Sequence, residues 1–235
     1  MIGTPRTHVA ECESTQLLLG PDDPEGAIAT TDHQTAGRGR LGRRWIEAPG
    51  TSVLVSALLR PPVERRAPEL SLVAAVAVAL ALEEPTGFAA QIKWPNDVLL
   101  EGRKVAGILA ELKGGAVVLG IGINVNQAAD ELPEGARPEA ASLRSLDGVV
   151  RDREAVLSSL LHHLDRLYAE WLTGGLAALH LELAARDFLH GRRVRTEAAT
   201  GVAVGIDQEG RLEIETKSGV ILVESGEVLL AERDL

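Results

Sequence analysis

Residues 91–124 read QIKWPNDVLLEGRKVAGILAELKGGAVVLGIGIN, and the fold is read outward from them. Gln91–Lys93 is a short strand that enters the turn Trp94-Pro95-Asn96-Asp97, and Val98–Leu100 leaves it. Proline presets its φ and offers no N–H, which suits a turn and interrupts a strand. Glu101-Gly102 marks a hairpin, and Val105–Leu112 and Ala116–Ile123 alternate as two more strands parted by Gly114-Gly115.

Upstream, Ala27–Thr31 is short and apolar and reads as a buried strand. The β-branched stretch Thr51–Leu59 is a second, closed by Pro61-Pro62. Pro68-Glu69 opens a helix whose run Leu72–Leu82 is apolar nearly all round, as a buried helix must be. That run spans 11 residues, well short of a bilayer crossing. Downstream, residues 127–150 read as a long loop. Asp152 caps a helix carrying Val156, Leu157, Leu160, Leu161, Leu164, Leu167, Tyr168 and Trp171 at 3–4 spacing. Gly174-Gly175 ends it, and Leu176–Leu189 reads as a second helix stopped by Gly191. From Arg193 the pattern becomes short strands with turns at Asp207–Gly210, Ser218-Gly219 and Ser225-Gly226. The division expected is therefore 1–189 and 190–235, the small tail docking on the larger unit for want of a core.

Composition removes several function classes. The 235 residues are 45% hydrophobic and 25% charged, an ordinary globular balance. The net charge of −10 leaves no general basic face for nucleic acid, and six aromatics are few for base stacking. One cysteine, Cys12, permits no internal disulfide and fits a reducing cytoplasm. The first residues hold no apolar signal-peptide core. His162–His163 are adjacent rather than one turn apart, which suits a helix surface better than a metal site.

Against that acidic background, Gly37-Arg38-Gly39-Arg40-Leu41-Gly42-Arg43-Arg44 stands out. It satisfies G-x-G-x-x-G, but the next element is a strand, so no helix N-terminus waits for a pyrophosphate. Flexible glycine backbone with guanidinium forks suits phosphate and carboxylate oxygens; an exposed basic turn would look the same. Lys93, Asn96 and Asp97 project from the Trp-Pro turn, for charge neutralisation, Mg²⁺ binding or a plain Asx cap. Lys104 stands on a strand beside small residues, able to lie over a ligand or in solvent. In Gly120-Ile121-Gly122-Ile123-Asn124 the glycines allow close backbone approach, making Asn124 a candidate contact.

Taken together, QTAGRGRLGRRW (34–45), KWPND (93–97), KVAGIL (104–109) and GIGIN (120–124) resemble biotin–protein ligases in order and spacing. The resemblance runs from Ser14-Thr15 to Ser225-Gly226-Glu227-Val228. It implies an α/β catalytic domain on a mixed sheet, followed by a small SH3-like β-barrel. It implies synthesis of biotinyl-5′-AMP from biotin and ATP, with Mg²⁺, then transfer to a lysine of a carboxylase's biotin carboxyl carrier domain. Ser14, Thr15, Gln16 and Gln34 would face the biotin ring, Arg38, Gly39 and Arg40 its tail, with Gly107 beside it. Lys104 would bridge the carboxylate and α-phosphate as the main catalytic group, with Arg40. Arg40, Arg43, Trp45, Lys93, Asn96, Asp97 and Asn124 would take the nucleotide, Trp45 packing on adenine and Asp97 serving as a metal contact. The usual Ser-Thr-Asn reads Ser14-Thr15-Gln16 here, so the third contact reaches one methylene further. Only 13 residues precede Ser14, so the form expected lacks an N-terminal DNA-binding domain and binds neither DNA nor membrane. A lipoate– or octanoyl–protein ligase, or a non-catalytic sensing module, are the alternatives; KWPND with the arginine loop favours biotin.

The loop also reads as a lid. Residues 36–44 hold three glycines and four mutually repelling arginines, with Leu41 the single apolar anchor, so ordering calls for anionic ligands. Trypsin should cut at Arg38, Arg40, Arg43 and Arg44 faster in the free protein than with biotin plus ATP, read by intact mass. Equal rates would exclude a ligand-gated lid.

Overall fold

The computed structural model describes residues 1–135 and 138–231. Its centre is a seven-stranded sheet in the order β1-β2-β3-β7-β6-β5-β4. The strands are β1 (Arg6–Cys12), β2 (Ile28–Gln34), β3 (Ser52–Leu59), β4 (Ala90–Lys93), β5 (Asp97–Leu100), β6 (Arg103–Lys113) and β7 (Ala116–Asn124). β1 and β2 run parallel and every other neighbouring pair is antiparallel, so the sheet is mixed.

Period-two alternation assigns the two faces. Val117, Leu119, Ile121 and Ile123 of β7 and Val53, Val55, Ala57 and Leu59 of β3 join the main core. Helix α1 (Leu70–Thr86) packs on that face, and α3 (Arg153–Gly174) packs on α1. Because α1 lies between two layers it is buried almost all round, as its alanine-rich sequence requires. Asp152 accepts the Glu154 N–H at the start of α3, and Arg65 donates to the Leu172 and Thr173 carbonyls at its end. Both contacts satisfy backbone groups the helix leaves open. The opposite face of β7 presents Gly120 and Gly122, and that of β3 presents Ser52, Leu54 and Ser56.

The tail forms a second antiparallel sheet ordered β11-β10-β9-β8-β12, from β8 (Arg193–Arg195), β9 (Thr200–Ile206), β10 (Leu212–Thr216), β11 (Gly219–Val223) and β12 (Leu229–Leu230). It docks as expected. The Trp94 indole N–H donates to the Gly210 carbonyl at 2.8 Å, and Val194, Ala203, Ile206, Leu212 and Ile214 belong to the same core as α1.

Three readings of the chain are corrected. Leu176–Leu189 is not one helix: a 3-10 turn, Leu176–Leu179, precedes α4 (His180–Arg186). Beyond Arg186 the chain leaves the helix because the Phe188 N–H pairs with the Ile92 carbonyl and Asp187 takes the Leu189 N–H. The loop 127–150 contains α2 (Leu143–Asp147), capped by Ser142, which accepts the Ser145 N–H. β2 extends three residues past Thr31, because Thr31, His33 and Gln34 lie alongside β1, a polar edge strand with no apolar pattern to announce it. Among the described residues no helix is long and apolar enough to cross a membrane.

At Gly201 a methyl group would stand 2.1 Å from the Glu215 carbonyl oxygen. Gly201→Ala must push β9 from β10 and should lower stability by about 1–3 kcal/mol. Denaturant unfolding measures it; an unchanged midpoint would contradict this packing.

Candidate active site

The face of small residues is the floor of a cleft of ≈ 980 Å³, partly open to solvent. Gly107 pairs with Gly122 and Leu109 with Gly120 across β6 and β7. Over the first pair lies the Trp45 ring: a methyl on Gly122 would meet it at 2.7 Å and one on Gly107 at 3.1 Å. Over Gly120 lies Gln16, 2.7 Å from where a methyl would sit. The glycines of GIGIN therefore admit side chains of this chain, Trp45 and Gln16, to the sheet surface.

One end of the cleft is neutral and polar. Gln34 accepts the Thr15 backbone N–H through Oε1 at 2.9 Å, and the Thr15 hydroxyl lies 2.8 Å from that of Ser56. Ser14, Thr15 and Gln16 are buried. The longer reach of Gln16 lets its Nε2 donate to the Leu109 carbonyl at 3.0 Å, leaving Oε1 buried with no partner. Such an acceptor is costly unless a donor arrives.

The other end is cationic. Lys104 Nζ lies 2.7 Å from Asp97 Oδ1. A shift in strand register puts it there: Val98 pairs with Ala106 and Leu99 with Lys104, so Val105 is extra. Without that bulge, Lys104 and Gly107, three residues apart, would point to opposite faces; with it both line the cleft. The Lys104 backbone is also pinned, its N–H to the Glu139 carbonyl and its carbonyl to the Ala141 N–H. Burial pulls the Lys93 ammonium below the ordinary lysine range, with Lys104 adding to it and Asp97 opposing. Burial likewise lowers the Arg40 guanidinium, with Arg43 assisting, while Asp97 opposes.

Each arginine of the loop has an acceptor. Arg40 donates to Asn96 Oδ1 at 3.1 Å, Arg44 to the Thr35 carbonyl at 2.8 Å, Arg38 faces Glu111 at 3.7 Å, and Arg43 pairs with Glu227. These acceptors offset part of the repulsion among the four arginines. Leu41 is no anchor either: it is 68% exposed and holds φ at +55°, an uncommon backbone for a leucine.

Ser14, Thr15, Gln16, Gln34, Arg38, Gly39, Arg40, Arg43, Trp45, Lys93, Asn96, Asp97, Lys104 and Gly107 all line this cleft. Asn124 does not. Its Nδ2 donates to the Ala141 carbonyl and its Oδ1 accepts from Gln127, so its amide braces the neighbouring loop. Asp97, expected to serve as a metal contact, faces the cleft beside Lys104. It is the partner of Lys104, and among the described residues no three His, Cys, Asp or Glu are grouped to hold an ion. Sequence reading missed Glu227 and Glu111 as partners of the arginines. Glu227 stands 184 residues from Arg43, and only its carboxylate among so many hints at the pairing.

The lining holds six cations against two carboxylates, a positive site in a chain of net charge −10. Residues 13–127 match the Biotin/lipoate A/B protein ligase family and residues 190–230 the Biotin protein ligase C terminal domain. The chain is 39% identical over 223 residues to the Bifunctional ligase/repressor BirA of Bacillus subtilis, covering 91% of this chain and 69% of that protein. It is 36% identical over 237 residues to a Biotin--[acetyl-CoA-carboxylase] ligase of Paracoccus denitrificans, covering 95% and 97%. The structure superposes with a TM-score of 0.87 on the biotin protein ligase of Aquifex aeolicus in complex with biotin and ATP, at 33% identity, covering 96% of this chain and 98% of that one. Sequence, cleft and superposition agree that the chain belongs to the biotin/lipoate protein ligase family.

Proposed function

We propose that this protein is a biotin–protein ligase that makes biotinyl-5′-AMP from biotin and ATP and passes biotin to a lysine of a carboxylase's biotin carboxyl carrier domain. The observation that carries the reading is one cleft with two chemically different ends. Neutral polar groups on Thr15, Gln16 and Gln34 suit a ring bearing amide-like donors and an acceptor. Arg40, Lys93 and Lys104 suit two anions brought together. The match of residues 190–230 to a biotin ligase C-terminal domain favours biotin over lipoate.

In this reading a biotin carboxylate oxygen attacks the α-phosphorus and pyrophosphate leaves as the P–O–P bond breaks. Lys104 and Arg40 hold the two anions against their mutual repulsion and meet the charge that develops between them. Asp97 Oδ1, 2.7 Å from Lys104 Nζ, aims the ammonium. The acceptor amine then attacks the biotinyl carbonyl carbon, the C–O bond to AMP breaks, and an amide forms with loss of a proton. Trp45, lying over Gly107 and Gly122, offers a surface for adenine. Mg²⁺ brought with the nucleotide would neutralise charge on the leaving pyrophosphate, with Asp97 the carboxylate at hand in the cleft. A cytoplasmic setting belongs to this reading, supported by a single cysteine that permits no internal disulfide, and no DNA-reading role is assigned. The units 1–189 and 190–235 divide the labour: the first holds the substrates, and the second contributes Glu227 to the rim.

Biotin-dependent exchange of pyrophosphate into ATP tests the reading directly. Lys104→Ala should keep the fold and lose about 10²-fold or more of that exchange; near-parent kcat/KM would refute the assignment. Gly122→Ala should displace Trp45, change its emission and raise KM for ATP more than for biotin. An unaltered KM for ATP would remove Trp45 from the nucleotide site.

A further inference from the structure

Glu47 takes no part in the chemistry above, yet its side chain is fully buried, with 0% exposure. Its Oε1 accepts the Gln34 backbone N–H at 2.9 Å and lies 3.3 Å from Nδ1 of His33. Its Oε2 is buried without a hydrogen-bond partner. Burial pushes the Glu47 carboxyl above the ordinary glutamate range, while the Gln34 N–H and His33 draw it down. A half-satisfied buried carboxylate is expensive, so what it holds is informative.

The geometry of its partner gives the reason. Gln34 is the last residue of β2 and sends its own Oε1 to the Thr15 N–H, at the neutral end of the cleft. Glu47 stands just beyond Trp45, whose N–H closes the arginine loop on the Gly37 carbonyl. One carboxylate therefore joins the strand entering the loop to the chain leaving it. The other titratable groups facing this spot come from β1, where Cys12 pairs with Gln34 and Glu11 with His33. Burial raises the Cys12 thiol, and Glu47 raises it further. Among the described residues, His33 is the basic group beside the carboxylate.

We propose that Glu47 is a positioning residue for biotin: by gripping the Gln34 main chain, it fixes the direction in which the Gln34 amide and the Thr15 backbone meet the ring. The proposal rests on the biotin reading above. What the position requires is an acceptor oxygen at this reach, 2.9 Å from the Gln34 nitrogen. The effect should fall on biotin alone, because Arg40 and Lys104 are held by other partners, Asn96 and Asp97.

Pyrophosphate exchange on the full chain, varying biotin and ATP separately, tests it, with the emission of the buried Trp94 and Trp171 reporting the fold. Glu47→Ala should raise KM for biotin about tenfold, with kcat and KM for ATP within about twofold of the parent. Glu47→Gln should recover KM for biotin to within about twofold, since its amide oxygen accepts the same N–H. If Glu47→Ala does not fold, Glu47→Asp replaces it: the charge stays, the reach shortens, and KM for biotin should still rise several-fold. A parent-like KM for biotin in the shortened variant would overturn the proposal, as would a loss spread equally over biotin, ATP and kcat. Failure of Glu47→Gln to recover KM would also overturn it. Absence of biotin-dependent exchange in the parent would instead overturn the biotin reading.

Discussion

Strand β7 must satisfy two surfaces at once, and the rest of the molecule follows from how it does so. Its odd-numbered residues, Val117 to Ile123, are large and apolar and bury α1. Its even-numbered Gly120 and Gly122 are the smallest residues available and leave the other face hollow. Because side chains alternate strictly along a strand, neither set can change face without moving every neighbour. A sheet filled on both faces would be a sound structural element with no room for a ligand. Here the helix side supplies the stability, and the glycine side supplies the volume into which Trp45 and Gln16 fold.

The hollow face would be of little chemical use without a cation in it, and alternation alone would have sent Lys104 into the helix layer. The extra residue Val105 reverses that, turning Lys104 to the cleft while Val105 itself joins the core. Asp97, from the neighbouring strand, then meets the ammonium. One local irregularity thereby connects the packing of the sheet to the electrostatics of the site. The arginine loop completes the arrangement from outside, tied down by acceptors from four places: Asn96, Thr35, Glu111 and Glu227. An anion arriving in the cleft competes with these contacts for the same guanidinium groups, which links ligand entry to loop position.

The small C-terminal sheet enters the same logic through two contacts. The Trp94 indole reaches from the KWPND turn to the Gly210 carbonyl, and Glu227 reaches back to Arg43. The turn that carries Lys93 and Asp97 is thus anchored at its base by the tail, while the tail supplies a carboxylate at the rim. Since its apolar residues share one core with α1, the tail and the main sheet stabilise one another.

Much of this was legible in the chain itself. The strands around KWPND, the buried helix at 72–82, the capped helix after Asp152 and the strand-rich tail all follow from local periodicity and turn chemistry. Local signals of that kind survive because a residue's alternation or cap depends on near neighbours. The loop arginines, Lys104 and Trp45 stand out for the same reason: charge and glycine clustered in an acidic chain. What only the tertiary structure decided depended on contacts between distant segments. The polar edge strand β1 exists because β2 pairs with it, and α4 ends early because Phe188 finds Ile92. The Asn124 amide braces a loop distant in sequence, the extra residue in β6 turns Lys104, and Glu47 reaches under Gln34. Each outcome is set by a partner that no local pattern names, because hydrogen-bond satisfaction in a folded interior is settled in space and not along the chain.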